Sequence, residues 1–597
     1  MQKETIDIVE KKENSLEKEL EEKLYSRNTH KFGVDLNPIV SLSTIGIIVI
    51  LSIYVLISQQ GWFGLSPAID TFNQMTGWIV SNMDWVFILS GNFFVILAIY
   101  LALSKLGRIK IGGLLAKPEF SNFAWYSMLI SAGMGIGLMF WAVGEPLTHL
   151  NQQPPIFGST DAPAQAMAAT FLHWGLHPWA IYAVLALALS YFAYNKKLPL
   201  SLRSIFYPIF KEKVFGKLGD FIDIVAVLAT LFGLATSLGL GVQQMNGGMN
   251  YLFGLPISTF FQVTLIIIIT SIATLSILSG IDKGVKVLSQ WNIRIAGTLM
   301  LLIFLLGPTI AIIRLFSNSL GLYIGELIPS AFFLSTDDSG ARAWQGAWTV
   351  FYLAWWVSWS PFVAMFIARI SKGRTIREFV LAVLIVPSLL SFIWLSVFGG
   401  TAMHVDQVSN GALFNIVQAD YSIALFEMIQ RIDISFLKGV ISVILSIIGT
   451  ILVISFFVTS SDSGSIVVNS ITSGGRLKTP ARQRVFWAAL EGFVAALLLL
   501  IGGNQALSAL QAAVIATGLP FAIIIVFMSV LLIFSLQKTY LRQKRATDEQ
   551  MVLRAIEDSA LDIDMEPVYR EEKKRKEKMK RRQKQKEKEE KERNATI

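Results

Sequence analysis

Apolar runs of about 20 residues recur along the whole chain and fix the class of structure that it can form. A helix of that length crosses a hydrocarbon core of roughly 30 Å. The chain has 597 residues, of which 53% are hydrophobic and 16% are charged, and its mean hydropathy is +0.56. Because backbone groups in lipid must be satisfied within their own segment, such runs predict helices. We therefore expect an all-α integral membrane protein.

Twelve of these runs are long enough to span a membrane. The loops after even-numbered spans are rich in Lys and Arg, whereas the loops 60–83, 149–163 and 247–255 contain none. Because Lys and Arg stay on the cytoplasmic side, both termini are predicted to be cytoplasmic in the cell membrane. The predicted spans cover about 37–59, 84–105, 122–148, 164–194, 220–246, 256–280, 292–315, 343–368, 379–400, 438–470, 483–502 and 506–537.

Two charged segments flank the membrane region 37–537. The N-terminal segment, 1–36, lacks an apolar core, so we expect no cleavable signal peptide before the first span. In the C-terminal tail, 538–597, the stretch 570–593 holds fourteen Lys or Arg and seven Glu. It is interpreted as a basic helix at anionic lipid, with a solvated, disordered tail as the alternative. Nucleic-acid binding is not needed to explain the basic charge.

Two long outer loops and the absence of cysteine complete the outline. Residues 316–342 are predicted to form an amphipathic helix on the outer surface, and 401–437 form a second outer loop without an assigned role. The chain has no cysteine, which excludes disulfides, iron–sulfur clusters and thiol chemistry.

Span eight contains three tryptophans and a proline within 354–362. Trp355, Trp356, Trp359 and Phe362 fall within an arc of roughly 120°, so one side of the helix is aromatic. Indole faces attract cations, and quaternary ammonium groups above all. Tryptophans also gather at membrane interfaces, and that interpretation stays open for any single ring. The proline predicts an interrupted helix.

Span four carries a second aromatic face. Trp174, Trp179 and Tyr182 share an arc of about 140° at helical spacing. His173 and His177 are four residues apart, the spacing of a helical metal pair. Because no carboxylate or third histidine lies nearby in sequence, hydrogen bonds across helices are favoured over a metal site.

Three glycines alternate in span three, at Gly133, Gly135 and Gly137. Small residues allow close helix packing, but the four-residue spacing typical of such packing is absent. The alternation favours a locally unwound segment, whose free backbone groups can hold a carboxylate or a sodium ion. Glu145 and Pro146 close the span at its outer end.

Span ten has six hydroxyl or carboxyl side chains in the seven positions 459–465. Such groups are costly in hydrocarbon and must face protein or a wet cavity. Oxygen ligands without thiols suit a hard cation such as Na⁺. In span five, bonds within the helix account for Thr230, Thr236 and Ser237.

The expected interruptions lie in spans three and eight, which are five apart, as are spans five and ten. Matching interruptions in two halves are typical of inverted-repeat transporters. The predicted repeats are spans three to seven, about 122–315, and spans eight to twelve, about 343–537, preceded by two additional helices.

These motifs resemble the betaine/choline/carnitine transporter family over about 37–537, and the charged tails are similar to those of bacterial sodium-coupled glycine betaine transporters. The resemblance implies the leucine-transporter fold, a homotrimer, and activation by hyperosmotic stress through the tail. It rests on 133–137 with Glu145 and Pro146, on 173–182, on 355–362 and on 459–463.

The resemblance also implies site residues. The substrate box consists of Trp174, Trp179, Tyr182, Trp356 and Trp359, with Gly133 and Gly135 beside it; ring geometry alone leads to the same aromatic residues. One sodium ion is held by the carbonyl groups of Ser131, Met134 and Phe456 and by the hydroxyl groups of Thr459 and Ser460. A second uses Thr230 and the region of Phe362. Leu234 stands where the family pattern has a second threonine, which leaves the number of sodium ions open.

The predicted function is a sodium-coupled symporter, not an enzyme, that imports a quaternary-ammonium osmolyte, glycine betaine in the first place, under hyperosmotic stress. The nearest alternative is a sodium-independent exchanger, or a carrier of carnitine, choline, ectoine or proline. A membrane-embedded enzyme built on His173, His177 and Glu145 and a channel are alternatives from other classes. Intact Thr459 and Ser460 favour sodium.

Overall fold

The computed structural model describes residues 18–133, 135–278, 282–336, 340–432, 438–476, 478–559, 573–581 and 585. The chain divides into two units, Met1–Phe534 and Ser535–Ile597. The principal helices are α1 (Pro38–Gln59), α2 (Ala68–Leu103), α3 (Asn122–Gly133), α4 (Ile136–Gln152), α5 (Ala162–Trp174), α6 (Leu176–Ser190), α7 (Lys217–Phe253), α8 (Thr259–Leu278), α9 (Asp282–Leu306), α10 (Thr309–Gly325), α11 (Phe351–Ile370), α12 (Ile376–Val408), α13 (Ala412–Ala419), α14 (Ala424–Arg431), α15 (Lys438–Thr472), α16 (Ala481–Gly502) and α17 (Ala506–Ser559).

Among the described residues, eight helices are long and apolar enough to cross a membrane, or ten if each of two bent pairs forms one span. The prediction of an all-α membrane protein is therefore confirmed. The two further predicted spans correspond to α8, whose apolar part Thr259–Leu275 is shorter, and to a division of Ala481–Arg545 at the turn Gly503–Gln505. The total of twelve and the inverted repeats stay predictions.

Span three is interrupted at its glycines, as expected. Helix α3 ends at Gly133, α4 begins at Ile136, and the two helices are bent by 60°. Gly135 between them has an extended backbone. The interruption leaves the first N–H groups of α4 without partners inside the helix.

Span eight is not interrupted, so that prediction was wrong. Helix α11 continues through Pro361. A proline cannot donate to the carbonyl four residues back, which here belongs to Val357. The hydroxyl group of Ser360 donates to that carbonyl at 2.6 Å. The local side chain therefore satisfies the carbonyl that the proline leaves free, and the helix persists.

Span seven ends earlier than predicted. Helix α9 stops at Leu306, and α10 turns away by 108° after Gly307 and Pro308. The residue before a proline is disfavoured in helical conformation, which explains the break at this point. The surface helix expected within 316–342 therefore begins at Thr309 and ends at Gly325. The prediction had placed its first seven residues, 309–315, in span seven.

The loop 401–437 is largely helical in its described part. Helix α12 continues to Val408, and α13 and α14 follow. Tyr421, between them, packs against Trp141 with a centroid distance of 5.4 Å, and its hydroxyl lies 2.9 Å from that of Thr148. This loop therefore covers the end of α4.

The N-terminal segment packs against the ends of two helices. Arg27 forms a bidentate ion pair with Asp220 of α7, at 2.9 and 2.7 Å. Asp35 pairs with Arg476, which follows α15. In the second unit, the predicted basic helix is described at 573–581 and 585, and it is helical there. Residues 1–17 and the rest of 560–597 lie outside the described residues.

Candidate functional site

The two aromatic faces predicted for spans four and eight meet around one cavity. Helix α6 packs along α11, and α7 packs along α15. The cavity has a volume of about 40 Å³, enough for about three water molecules. It is lined by Ala132, Gly133, Gly135, Gly137, Leu138, Trp174, Pro178, Trp179, Tyr182, Trp355, Trp356, Trp359 and Ser391. All seven residues predicted for the substrate box are among them, and their role as ligands stays a prediction.

Span four is not the single uninterrupted helix that the sequence suggested. It is divided at Gly175, so that Trp174 ends α5 while Trp179 and Tyr182 lie in α6. A Cβ at residue 175 would lie 2.6 Å from the carbonyl oxygen of Phe171 and 2.6 Å from the ring of Phe392. The absent side chain therefore allows the break in the helix at this position.

The rings form one connected wall. Trp174 and Trp356 meet edge to face with centroids 4.9 Å apart, and Trp356 stacks on Trp355 at 5.0 Å. Trp179 meets Tyr182 edge to face at 5.4 Å. Each ring therefore holds its neighbour in a fixed orientation.

Four of the indole N–H groups donate to protein atoms. Trp356 donates to the carbonyl oxygen of His173 at 2.9 Å, and Trp359 to that of Gly233 at 3.1 Å. Trp174 donates to Glu145 at 2.7 Å, and Trp355 to the hydroxyl of Ser237 at 3.2 Å. These bonds fix the rings while their apolar surfaces line the cavity. No charged side chain is among the lining residues.

The glycines of span three leave space for the tryptophan rings of the cavity wall. A Cβ at residue 137 would lie 2.6 Å from Cη2 of Trp355 and 3.3 Å from Cη2 of Trp174. At residue 133 it would lie 2.9 Å from Cζ2 of Trp179, and at residue 135 it would lie 3.9 Å from Cη2 of Trp359. The rings thus approach Gly133 and Gly137 too closely for any side chain there, whereas a Cβ at residue 135 would make only an ordinary van der Waals contact.

A second cavity, of about 150 Å³, lies beside the first and shares Ala132 and Trp359 with it. The hydroxyl group of Thr459 lies 3.2 Å from the carbonyl oxygen of Phe456. Its lining includes four residues predicted to bind sodium: Ser131, Phe362, Thr459 and Ser460. Hydroxyl and carbonyl oxygens are ligands that fit a hard cation. Met134, predicted as another ligand, lies outside the described residues.

Thr230 does not line either of these cavities. Its hydroxyl donates to the carbonyl oxygen of Ala226, one turn back in α7, at 2.6 Å. Leu234 packs on Gly464 of α15, where an added Cβ would lie 2.6 Å from Cδ1 of Leu234. The structure thus brings together the residues of the first predicted sodium site more closely than those of the second.

The two histidines of span four bond across helices and do not converge on one point. His173 lies 2.7 Å from Glu145 through Nδ1 and 3.0 Å from Thr349 through Nε2. His177 contacts Asn92 at 3.2 Å. The spacing of a helical metal pair is therefore used for separate hydrogen bonds.

Sequence reasoning did not include six of the lining residues among the site residues, although it had singled out Gly137 and Trp355 in their motifs: Ala132, Gly137, Leu138, Pro178, Trp355 and Ser391. Ser391 of α12 lines the aromatic cavity, and nothing in its sequence context distinguished it. Tyr352 and Glu145 lie behind the cavity wall and bond to each other. Tyr352 lies four residues before Trp356, hence on the same helix face, and Glu145 is an ionisable residue within a span. Both signals were present in the sequence.

Comparison with known proteins gives a consistent assignment. A family model described as BCCT, betaine/carnitine/choline family transporter, matches residues 39–541. Glycine betaine transporter 1 of Vibrio parahaemolyticus is 46% identical over 519 residues, which cover 85% of this chain and 95% of that protein. A glycine betaine/proline/choline/ectoine transporter of the same organism is 45% identical over 518 residues, covering 85% and 89%.

More distant matches follow. A glycine betaine transporter of Acinetobacter baylyi is 40% identical over 535 residues, covering 89% of this chain and 78% of that protein. Among solved structures, a mutant manganese transporter of Eremococcus coleocola is 13% identical with a TM-score of 0.37, covering 74% and 93%, which is too distant to bear on this fold. The predicted family and the prediction that the chain is not an enzyme are both confirmed. The chain is a multi-pass membrane transporter and belongs to the betaine/carnitine/choline transporter family.

Proposed function

We propose that this transporter imports glycine betaine, a zwitterionic quaternary-ammonium osmolyte, together with Na⁺ under hyperosmotic stress. One observation carries the proposal: an aromatic cavity without charged lining residues shares the ring of Trp359 with a cavity lined by hydroxyl groups. The names of the similar proteins support the same class of substrate.

The aromatic cavity suits a trimethylammonium group. Such a group is cationic but carries no N–H donor, so it needs polarisable surfaces rather than hydrogen-bond acceptors. Each indole face attracts a cation by about 0.5–2 kcal/mol, with more when water is excluded. Trp174, Trp179 and Trp356 are all at least nine-tenths buried, so their interaction with a cation is poorly screened.

The interruption of span three provides a site for the carboxylate group of the osmolyte. Gly135 and Gly137, at the start of α4, line the same cavity. The first N–H groups of a helix have no partners within it and carry a partial positive charge. They are suited to hold the carboxylate of the osmolyte while its ammonium group meets the rings.

Sodium is proposed to bind in the second cavity. Its ligands there are the hydroxyl groups of Thr459 and Ser460 and carbonyl groups of Phe456 and Ser131, with Met134 as a further proposed ligand. The positions of Ser131, Thr459 and Ser460 in the lining of one cavity support this set. A second ion at Thr230 and Phe362 has less support, because Thr230 lines neither of the two cavities.

The coupled cycle follows from two helix bundles that rock about these sites. The leucine-transporter fold with inverted repeats, the homotrimer, cytoplasmic termini and osmotic control by the basic tail at anionic lipid are parts of the same proposal. They rest on the charge pattern and on membership of the family. A sodium-independent exchanger is disfavoured by the hydroxyl groups that line the second cavity.

Uptake into proteoliposomes tests the sodium coupling. We expect labelled glycine betaine to accumulate above the external concentration only when a sodium gradient is directed inward. With equal sodium on both sides, or with potassium in its place, the label should only equilibrate. Equal accumulation with and without the gradient would refute the coupling.

Replacing Gly137 by alanine tests the close approach of the rings. The added Cβ would lie 2.6 Å from Trp355, so the wall must shift, and we expect uptake to fall at least about tenfold. Gly297→Ala in α9 is the matched control, because nothing lies within 4 Å of its added Cβ. Uptake per molecule of membrane-inserted protein is measured. If both variants transport alike, the packing argument is wrong.

A further inference from the structure

A buried carboxylate lies directly behind the aromatic wall, outside the set of residues proposed to touch the osmolyte. Glu145 of α4 is completely buried. Its Oε2 accepts the N–H of Trp174 at 2.7 Å and the hydroxyl of Tyr352. Its Oε1 lies 2.7 Å from Nδ1 of His173 and 3.4 Å from Nε2 of His149.

These partners join Glu145 to two rings of the wall. Trp174 is bonded directly. Trp356 donates to the carbonyl oxygen of His173, and the ring of His173 stacks on Tyr352 with centroids 4.8 Å apart. One carboxylate thus fixes parts of α5 and α11 at once. Trp174 and Tyr352 donate to the carboxylate, and Nδ1 of His173 does so in the tautomer that carries its proton there. Such donors stabilise an ionised carboxylate in a buried place.

The negative charge of this carboxylate has no permanently charged partner in the described part of the chain, since an imidazole is charged only when protonated. Among the described residues, no Lys or Arg side chain pairs with Glu145; its partners in the ion-pair geometry are the two histidines, His149 and His173. An uncompensated charge in a membrane span is costly. The cavity on the other side of Trp174 has no charged lining residue. A cationic head group in that cavity would supply the missing positive charge.

The cluster of Glu145, His149 and His173 has ligand atoms within 4.8 Å of one another, but its bonds disfavour a metal ion. His173 uses Nδ1 toward the carboxylate and Nε2 toward Thr349. Nδ1 of His149 accepts from the indole of Trp344 at 3.4 Å. In this arrangement the lone pair of each imidazole ring is engaged by a donor, while Nε2 of His149 lies 3.4 Å from Glu145 without a hydrogen bond.

We infer that Glu145 is a specificity-determining positioning residue, which holds Trp174 and Trp356 in place and whose charge makes the cavity select cationic over neutral head groups. The inference rests on the proposed function and deepens it. Hydrogen bonding of an indole N–H to a carboxylate adds electron density to the ring, and the charge itself acts through a medium that excludes water. The selection then depends on the charge and not only on the shape of the cavity.

A pair of ligands of equal shape separates charge from packing. In 3,3-dimethylbutyrate a carbon atom replaces the nitrogen of glycine betaine, and the carboxylate is retained. Glu145→Gln keeps the size of the side chain but removes its charge. We expect it to lower the affinity for glycine betaine relative to that for 3,3-dimethylbutyrate at least about tenfold. The ratio is measured by tryptophan fluorescence titration of purified protein in saturating sodium. If Glu145 had a purely structural role, the substitution would weaken the binding of both ligands alike. The ratio of affinities would then stay unchanged, and the inference would be overturned.

Two further variants and the wild-type protein complete the experiment. Glu491→Gln in α16 removes an equally buried carboxyl group that does not line the cavity, and the ratio should stay unchanged. An equal fall in this control would overturn the inference. Trp174→Phe keeps a ring at the wall but removes its bond to Glu145, so it should lower the ratio even if Glu145→Gln does not fold; an unchanged ratio would contradict us. If the wild-type protein does not bind glycine betaine, the proposed function fails together with the inference.

Discussion

Leucine in place of Trp356 is expected to weaken glycine betaine binding at least about thirtyfold, which corresponds to roughly 2 kcal/mol. The ring contacts Trp174 edge to face at 4.9 Å and stacks on Trp355 at 5.0 Å. Its loss removes one cation-binding face and also releases Trp174 to move. The substitution therefore removes both a cation-binding surface and a contact that holds Trp174 in place.

Trp487→Leu is the matched control, because this indole is also buried but lies in α16, which does not line the cavity. Tryptophan fluorescence titration and uptake of labelled osmolyte should show near wild-type affinity for the control. Monodispersity in detergent checks that both proteins fold. An unaltered affinity of Trp356→Leu would remove the aromatic box from the mechanism.

Valine in place of Thr459 is expected to raise the sodium concentration for half-maximal uptake at least about tenfold. Valine has nearly the shape of threonine but offers no oxygen ligand, and Na⁺ is held almost entirely by oxygen. The substitution also removes the 3.3 Å bond that Thr459 accepts from Asn292. Osmolyte binding in saturating sodium should change much less.

The same substitution at Thr472 provides the control, since Thr472 lies in the same helix and donates to the same kind of helical carbonyl but does not line the second cavity. Initial rates of uptake are measured over a range of sodium concentrations for both variants. A sodium dependence of Thr459→Val identical to that of Thr472→Val would exclude the second cavity as the sodium site.

The sequence predicted which faces of the helices matter but not how they meet. Helical spacing placed Trp356 and Trp359 on one face, and both line the cavity. It did not show that span four is divided at Gly175, where a side chain would meet Phe392 of a distant helix. It also could not show that Glu145 bonds to Tyr352, which is 207 residues away in sequence.

Two prolines illustrate how far breaks within single helices can be predicted from the sequence. Both were available to sequence reasoning, yet Pro361 lies inside a continuous helix and Pro308 separates two helices at 108°. A neighbouring hydroxyl group satisfies the carbonyl that each proline leaves free: Ser360 donates to Val357, and Thr309 donates to Phe304, each at 2.6 Å. What differs is the residue before each proline, Gly307 in the broken case and Ser360 in the continuous one, and glycine is the weaker helix former.

The ring of Trp359 borders both cavities while its N–H is fixed to Gly233 of α7. If each bound species alters the position of this ring, thermodynamic reciprocity applies to them. The factor by which sodium tightens osmolyte binding must then equal the factor by which the osmolyte tightens sodium binding. A single indole would thus set one coupling constant, which governs loading of the empty carrier in either order.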